Sequence, residues 1–192
     1  MARGPEIAVV GAGIVGASLA WHLAVAGAAV TVVEAGEPGG VATAASFASL
    51  EGRTIDLRAG WGAATACSTD GHTTQCWRTE AEMDAAIGAM PEPGSGIGTR
   101  SLATCSSSLR LYDGASFTGT VLAFVSTGSL INLSTYGFSN VTTSYKVGNC
   151  GALFYDGANG SGTQYPGNTS ANSGYPAMVS GWNNRISSFY MF

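Results

Sequence analysis

The sequence predicts two unlike pieces in one chain, a short N-terminal βαβ segment and a C-terminal all-β sandwich. Three observations predict them. A run of apolar strand formers, Ile7-Ala8-Val9-Val10, leads straight into Gly11-x-Gly13-x-x-Gly16. The stretch Leu111–Thr120 returns as Phe154–Thr163, and Gly137–Tyr145 returns as Gly181–Phe189, at offsets of 43 and 44 residues. Composition changes between the two pieces, from Ala/Val/Gly-rich over residues 1–48 to short apolar runs broken by Gly, Asn, Asp and Ser after Cys105.

In the first piece each residue type has a physical reason. Gly11 permits a tight turn after the strand, Gly13 lets backbone amides approach a pyrophosphate, and Gly16 lets the following helix pack closely on the strand. Ile14–Ala26 reads as that helix, Gly27 as its end, and Val30–Val33 as a second strand closing on Glu34. A helix N-terminus offers free N–H groups and partial positive charge to phosphates. Glu34, 18 residues after Gly16, can accept hydrogen bonds from ribose hydroxyls. The alternative is a βαβ unit without a ligand. The residues from Ile7 to Glu34, continued by Gly40–Ala48, closely resemble the N-terminus of the D-amino-acid-oxidase/glycine-oxidase family of FAD-dependent oxidoreductases. The resemblance implies FAD held by Gly11, Gly13, Gly16 and Glu34, with Ala44 and Ser46 near the flavin phosphates. It ends near Ala48, so the segment reads as a truncated Rossmann-type βαβ. A parallel sheet needs further crossovers to cover both its faces, and firm retention of FAD is not expected.

Residues 49–104 read as an irregular segment, a short helix and a linker. Thr79 can N-cap a helix over residues 79–90, with Glu82 completing a capping box. Pro91-Glu92-Pro93-Gly94-Ser95-Gly96-Ile97-Gly98 has linker composition.

Residues 105–192 read as two copies of one four-strand unit. Neither copy can bury its apolar face alone, so the pair forms a two-sheet sandwich. Tyr112, Phe117 and Gly119 have the spacing of the Greek-key signature of βγ-crystallins; the second copy keeps Tyr155 and Gly162 but has Gly160 in place of the second aromatic. This stretch resembles microbial members of that family. Some of these carry a calcium motif of paired Asn/Asp, two variable positions, Ser/Thr and Ser. Asn183–Ser188 fits it throughout, and Ser139–Ser144 fits all but its first position. The resemblance implies neutral oxygen ligands from both repeats: Asn140 and Asn184, hydroxyls of Thr143 and Ser187, and backbone carbonyls of Val141 and Arg185. Such sites bind weakly. The alternative is that these residues only shape turns. Secreted metalloprotease inhibitors share the fold, which implies an extracellular protease as a partner.

Composition narrows the function classes. Charged residues are 10% of the chain, against about 25% in ordinary soluble domains, and Lys146 is the only lysine. At a net charge of −4, a basic footprint for nucleic acid is absent. Four cysteines at wide spacing favour two disulfides in an oxidising compartment over four free thiols. Of the three pairings, Cys67–Cys76 and Cys105–Cys150 are expected; the first closes a local loop and the second joins the first strands of the two repeats. His22 and His72 complete no zinc pattern. Residues 7–33 carry no formal charge, long enough for a membrane span or signal segment, but the glycine placement favours the βαβ reading. Asp113 and Asp156 sit at equivalent turn positions, and no nucleophile–base set is visible. The expected function is an extracellular, non-enzymatic βγ-crystallin-like module, calcium-binding or inhibitory; the alternative is an FAD-dependent oxidoreductase fragment.

Overall fold

The computed structural model describes residues 6–10, 22–33, 46–88, 109–125 and 130–192. The chain divides into two compact units, Met1–Ala44 and Ala45–Phe192.

In the first unit, strand β1 (Glu6–Val10) pairs in parallel with β2 (Ala29–Val33), from Glu6↔Ala29 to Val10↔Val33. Parallel neighbours need a crossover connection. Its last turn is helical over residues 22–25, and the amide of Ala26 donates to the carbonyl of His22 at 3.0 Å. Gly27 ends that turn at φ +88°, a conformation that costs a side chain strain. Gly11, Gly13, Gly16, Glu34 and Ala44 lie outside the described residues.

The second unit is a two-sheet sandwich. Its strands are β3 (Phe47–Leu50), β4 (Arg53–Asp56), β5 (Ala66–Thr69), β6 (Thr74–Trp77), β7 (Leu109–Tyr112), β8 (Val121–Phe124), β9 (Leu130–Asn132), β10 (Ser144–Val147), β11 (Ala152–Tyr155), β12 (Gly174–Tyr175) and β13 (Ser188–Met191). The larger sheet runs β12-β10-β7-β8-β5-β6-β3-β4 and the smaller β11-β13-β9. β9 of the first repeat pairs with β13 of the second, and β12 of the second pairs with β10 of the first. Each repeat thus gives its third strand to the other's sheet, the Greek-key exchange expected of two interdependent copies. The second strand of the second copy is reduced to a single bridge, Tyr155↔Gln164.

Residues 47–77 are not irregular. They form two hairpins, β3–β4 and β5–β6, joined by a parallel pairing of β3 with β6. β5 then pairs in parallel with β8, from Ala66↔Val121 to Thr69↔Phe124. The β unit therefore begins near residue 45 rather than 105, and the edge of β8 is covered instead of open to foreign strands. The sequence hid these strands for a packing reason. Ala66-Cys67-Ser68-Thr69 is buried along its whole length, so it shows no apolar-in, polar-out alternation.

The expected helix is α1 (Glu80–Ile87). The Thr79 hydroxyl accepts from the Glu82 amide at 3.2 Å, and the Glu82 carboxylate accepts from the Arg78 amide at 3.0 Å, one residue earlier than in a standard capping box. Gly88 closes the helix at φ +90°. Cys67 and Cys76 face one another across β5 and β6 and are disulfide-bonded, with Cα atoms 4.0 Å apart. Cys150 is also disulfide-bonded; Cys105 lies outside the described residues.

The main core lies between the sheets, where Phe124, Tyr145, Phe154 and Phe189 are almost fully buried. A second cluster lies on the other face of the larger sheet, where Met83 of α1 packs on Ala66, Tyr112, Val121 and Ala123. Among the described residues no helix is long and apolar enough to cross a membrane.

Candidate metal centre

Both repeats build the same folded hairpin, and the hairpins position the predicted ligands. Asp113 Oδ1 accepts from the Thr120 amide at 2.7 Å, and Asp156 Oδ1 accepts from the Thr163 amide at 2.6 Å. The Gly114 amide donates to the Thr118 carbonyl and the Gly157 amide to the Ser161 carbonyl, both at 3.0 Å. Asp113 and Asp156 are thus turn residues. Tyr112 and Phe117 meet edge to face, with centroids 5.8 Å apart. Phe117 takes φ +61° and Gly160 takes φ +68° at the same step. The second corner keeps the hydrogen bonds of the first and lacks only its ring contact. Gly119, at φ +83°, could not carry a Cβ without striking the Asp113 carboxylate.

Each hairpin is locked from beneath by a buried serine that the sequence reading left without a role. Ser144 donates to the Gly114 carbonyl at 2.6 Å and accepts from the Phe117 amide at 3.1 Å. Ser188 donates to the Gly157 carbonyl at 2.6 Å and accepts from the Gly160 amide at 2.9 Å. The final serine of each Asn-rich motif is therefore a structural latch. Its recurrence at an offset of 44 residues, one more than that of the hairpin glycines, was the available signal.

The residues just before these serines come together across the repeats. The Ser187 hydroxyl donates to Asn140 Oδ1 at 2.9 Å, and the Thr143 hydroxyl donates to Asn184 Oδ1 at 3.2 Å. The Asn140 amide donates to the Ile186 carbonyl at 2.8 Å, and the Asn184 amide to the Thr142 carbonyl at 3.0 Å. Asn140 and Asn184 are left-handed, at φ +60° and +57°, which asparagine tolerates better than most side chains. Each centre thus pairs an amide oxygen from one repeat with a hydroxyl from the other. Ser139 does not break this symmetry, because neither pair uses the first motif position. Among the described residues no group of three His, Cys, Asp or Glu side chains could hold a metal ion; the paired side-chain oxygens are amide and hydroxyl groups.

Arg185 follows Asn184 in the chain. Its guanidinium meets Asp156 at 2.5 Å and the Gly181 carbonyl at 3.0 Å, and lies 4.8 Å from the centroid of the Trp182 ring. The Thr163 amide and Arg185 hold the Asp156 carboxyl below its ordinary range. Such a depressed acid contributes stability above the ordinary carboxylate range, and that contribution is lost as pH falls through it.

Thr142 is fully buried, and among the described residues its hydroxyl has no hydrogen-bond partner. The second repeat places the apolar Ile186 at the equivalent position. Thr142→Val is expected to raise stability by about 1 kcal/mol, because it removes an unsatisfied buried polar group with little change of shape. A urea midpoint that rises with unchanged slope checks this.

For the nucleotide motif the structure gives less. β1, β2 and the left-handed Gly27 fit a βαβ unit, and the phosphate-turn glycines lie outside the described residues. Ser46, expected near the flavin phosphates, falls in the β unit; it is buried, and its carbonyl accepts from the Leu57 amide at 2.8 Å.

Comparison with known proteins gives two kinds of likeness. Among solved structures the chain is similar to a βγ-crystallin from Ciona intestinalis, at 20% identity and a TM-score of 0.38, covering 45% of this chain and 100% of that one. It is also similar to βγ-crystallin domains from Clostridium beijerinckii (19% identity, TM-score 0.38, 45% of this chain and 98% of that one) and Flavobacterium johnsoniae (21%, 0.37, 44% and 92%). No curated protein matches the chain. A family model, described as FAD dependent oxidoreductase, matches residues 6–129. That match runs well past Ala48, where the resemblance read from the sequence ended, and takes in strands β1 to β8. Matched over more than half its length, the chain belongs to the FAD-dependent oxidoreductase family.

Proposed function

We propose that the β unit binds two calcium ions, one at each crossed Asn–hydroxyl pair. The observation that supports this most is the geometry of those pairs. Asn140 with Ser187, and Asn184 with Thr143, bring two side-chain oxygens from different repeats within 3.2 Å of each other. Calcium is a hard cation that takes several oxygen ligands in flexible geometry. The carbonyls of Val141 and Arg185, next in the chain after each asparagine, are the further donors in this reading. All these ligands are neutral, so affinity falls toward the weak end of the calcium range, about 10⁻⁴–10⁻³ M. An ion bridging the repeats would tie together strands that the fold already exchanges between sheets.

Calorimetric titration of the full chain with calcium is expected to give two sites. Thr143→Ala and Ser187→Ala should each leave one, and the double variant none. Binding to the folded state alone stabilises by RT ln(1 + [L]/Kd), about 2.7 kcal/mol per site at a hundredfold excess over Kd. Magnesium should replace calcium poorly, because it demands near-octahedral geometry and gives up its waters reluctantly. A titration without heat, with a melting curve indifferent to millimolar calcium, would overturn the proposal.

Family membership implies FAD as the cofactor class. Gly11, Gly13 and Gly16 are the residues proposed to meet its diphosphate, and Glu34 its ribose. The parallel β1–β2 pair supports this reading for the phosphate-binding end of the cofactor.

A further inference from the structure

The outer face of the larger sheet carries a groove beside α1. It has a volume of about 340 Å³, and its lining includes Ser49, Ser68, Gln75, Trp77, Ile87 and Val125. Strand register aligns its floor. Ser49 pairs with Gln75 across β3 and β6, and Gln75 pairs with Ser68 across β6 and β5. Ala48, Cys76 and Cys67, their chain neighbours, point the other way into the main core. Strands lie about 4.8 Å apart, so hydroxyl, amide and hydroxyl stand in one row about 10 Å long. Two residues along β6, on the same face, the half-buried indole of Trp77 flanks this row, and Ile87 and Val125, each 39% exposed, also line the groove.

The polar row has donors and acceptors to offer a ligand. Ser68 is only 7% exposed, and among the described residues its hydroxyl makes no hydrogen bond. Gln75 is exposed and its amide also makes none among them. Charge is nearly absent. Among the described residues no cationic side chain lines the groove, and the acid at its rim, Asp70, is engaged by its own turn. Asp70 Oδ1 accepts from the amides of His72 and Thr73 at 2.8 and 2.7 Å, and Oδ2 accepts from the Thr73 hydroxyl at 3.2 Å.

We propose that this groove binds a neutral saccharide. An anion would find no positive partner among the described lining residues. A hydrocarbon would cover Ser68 and Gln75 and leave buried polar groups without hydrogen bonds. A pyranose has an apolar C–H face, which fits the indole of Trp77, and an edge of successive hydroxyls, which fits a row of side chains that both donate and accept. The groove is long enough for two sugar rings along the row.

The test is titration of the full chain with cellobiose, lactose and N,N′-diacetylchitobiose, followed by calorimetry and tryptophan fluorescence. At least one disaccharide is expected to bind saturably, and its affinity should not change when calcium is chelated, which keeps this result separate from that of the metal centre. Gln75→Ala and Ser49→Ala, both at exposed positions, should each weaken binding about tenfold at unchanged melting temperature, the effect of one lost hydrogen bond. Trp77→Ala should abolish binding. Trp61→Phe, a tryptophan whose indole donates to the Tyr136 carbonyl on a different surface, should leave it intact. Absence of saturable binding by all three sugars, or binding undiminished by Gln75→Ala, would overturn the assignment.

Discussion

Arg110→Ala is expected to destabilise the β unit by about 3 kcal/mol, the lower end of the range for breaking a buried ion pair. Arg110 lies on β7 between the core residues Leu109 and Leu111, so its side chain points to the outer face, where α1 covers it. Only 3% of that side chain is exposed, and it meets Glu80 at 2.6 Å and Asp84 at 2.5 Å. It also reaches the Gly88 carbonyl at 3.3 Å. A strand thereby supplies the positive charge that the last turn of α1 lacks. Burial opposes the charge on Arg110, and Asp84 and Glu80 outweigh that effect, holding its pKa above the ordinary value. Removing Arg110 strands two carboxylates and frees α1 from the sheet. Those carboxylates are about 30% exposed and can partly rehydrate, which sets the effect at the low end. Arg110→Met fills the space but strands the same two carboxylates, so it should recover only the packing part of the loss. Urea unfolding decides the matter: a loss under 1 kcal/mol for the alanine variant would show that packing on Met83 alone holds the helix.

The same network carries a signature at high pH. Burial and the hydrogen bond to Glu80 push the Tyr112 phenol up, and burial does the same for Tyr145. A raised folded pKa gives stability that is complete below the ordinary phenol value of about 10 and is lost as pH rises beyond it. Alkaline unfolding should therefore set in above that pH.

What the sequence made legible follows from which signals are local. The repeat was legible because Gly119 and Gly162, Asp113 and Asp156, and Asn140 and Asn184 impose turn shapes that few other residues accept, so they recur in place. Thr79 and Glu82 marked the helix because capping acts within four residues. β3 to β6 were illegible because long-range pairing holds them. They are only four residues long, and β5 becomes a strand by lying against β8, more than fifty residues away. Arg110 was illegible for a related reason: an arginine in a strand reads as solvent-facing until a helix covers that face. At the Asn-rich motifs the residue types were plain in the sequence. Their crossing between repeats, Asn140 with Ser187 and Asn184 with Thr143, was visible only in three dimensions, and it makes alike two hydrogen-bonded pairs whose motifs differ.

Phe189→Ala is expected to cost about 3–5 kcal/mol, the range for deleting a buried aromatic ring. Phe189 lies on β13, the central strand of the smaller sheet, and is 1% exposed. Its ring centroid is 4.6 Å from that of Phe124 on the larger sheet and 6.5 Å from that of Phe154 on its own. The cavity would open where the two sheets and both repeats meet, and neighbouring backbone in paired strands cannot collapse to fill it. Phe192, three residues on, is 61% exposed and stacks on Tyr190; Phe192→Ala should change stability by no more than about 0.5 kcal/mol. Because β5 and β8 share a sheet, the loss at Phe189 should also reach residues 46–77. Tryptophan fluorescence, which includes Trp61 and Trp77, and far-ultraviolet circular dichroism should therefore move together to lower denaturant in the Phe189→Ala variant. Separate transitions would mean that the two hairpins fold without the Greek-key core, and β5 would then hold its place through the Cys67–Cys76 bridge and α1 rather than through β8.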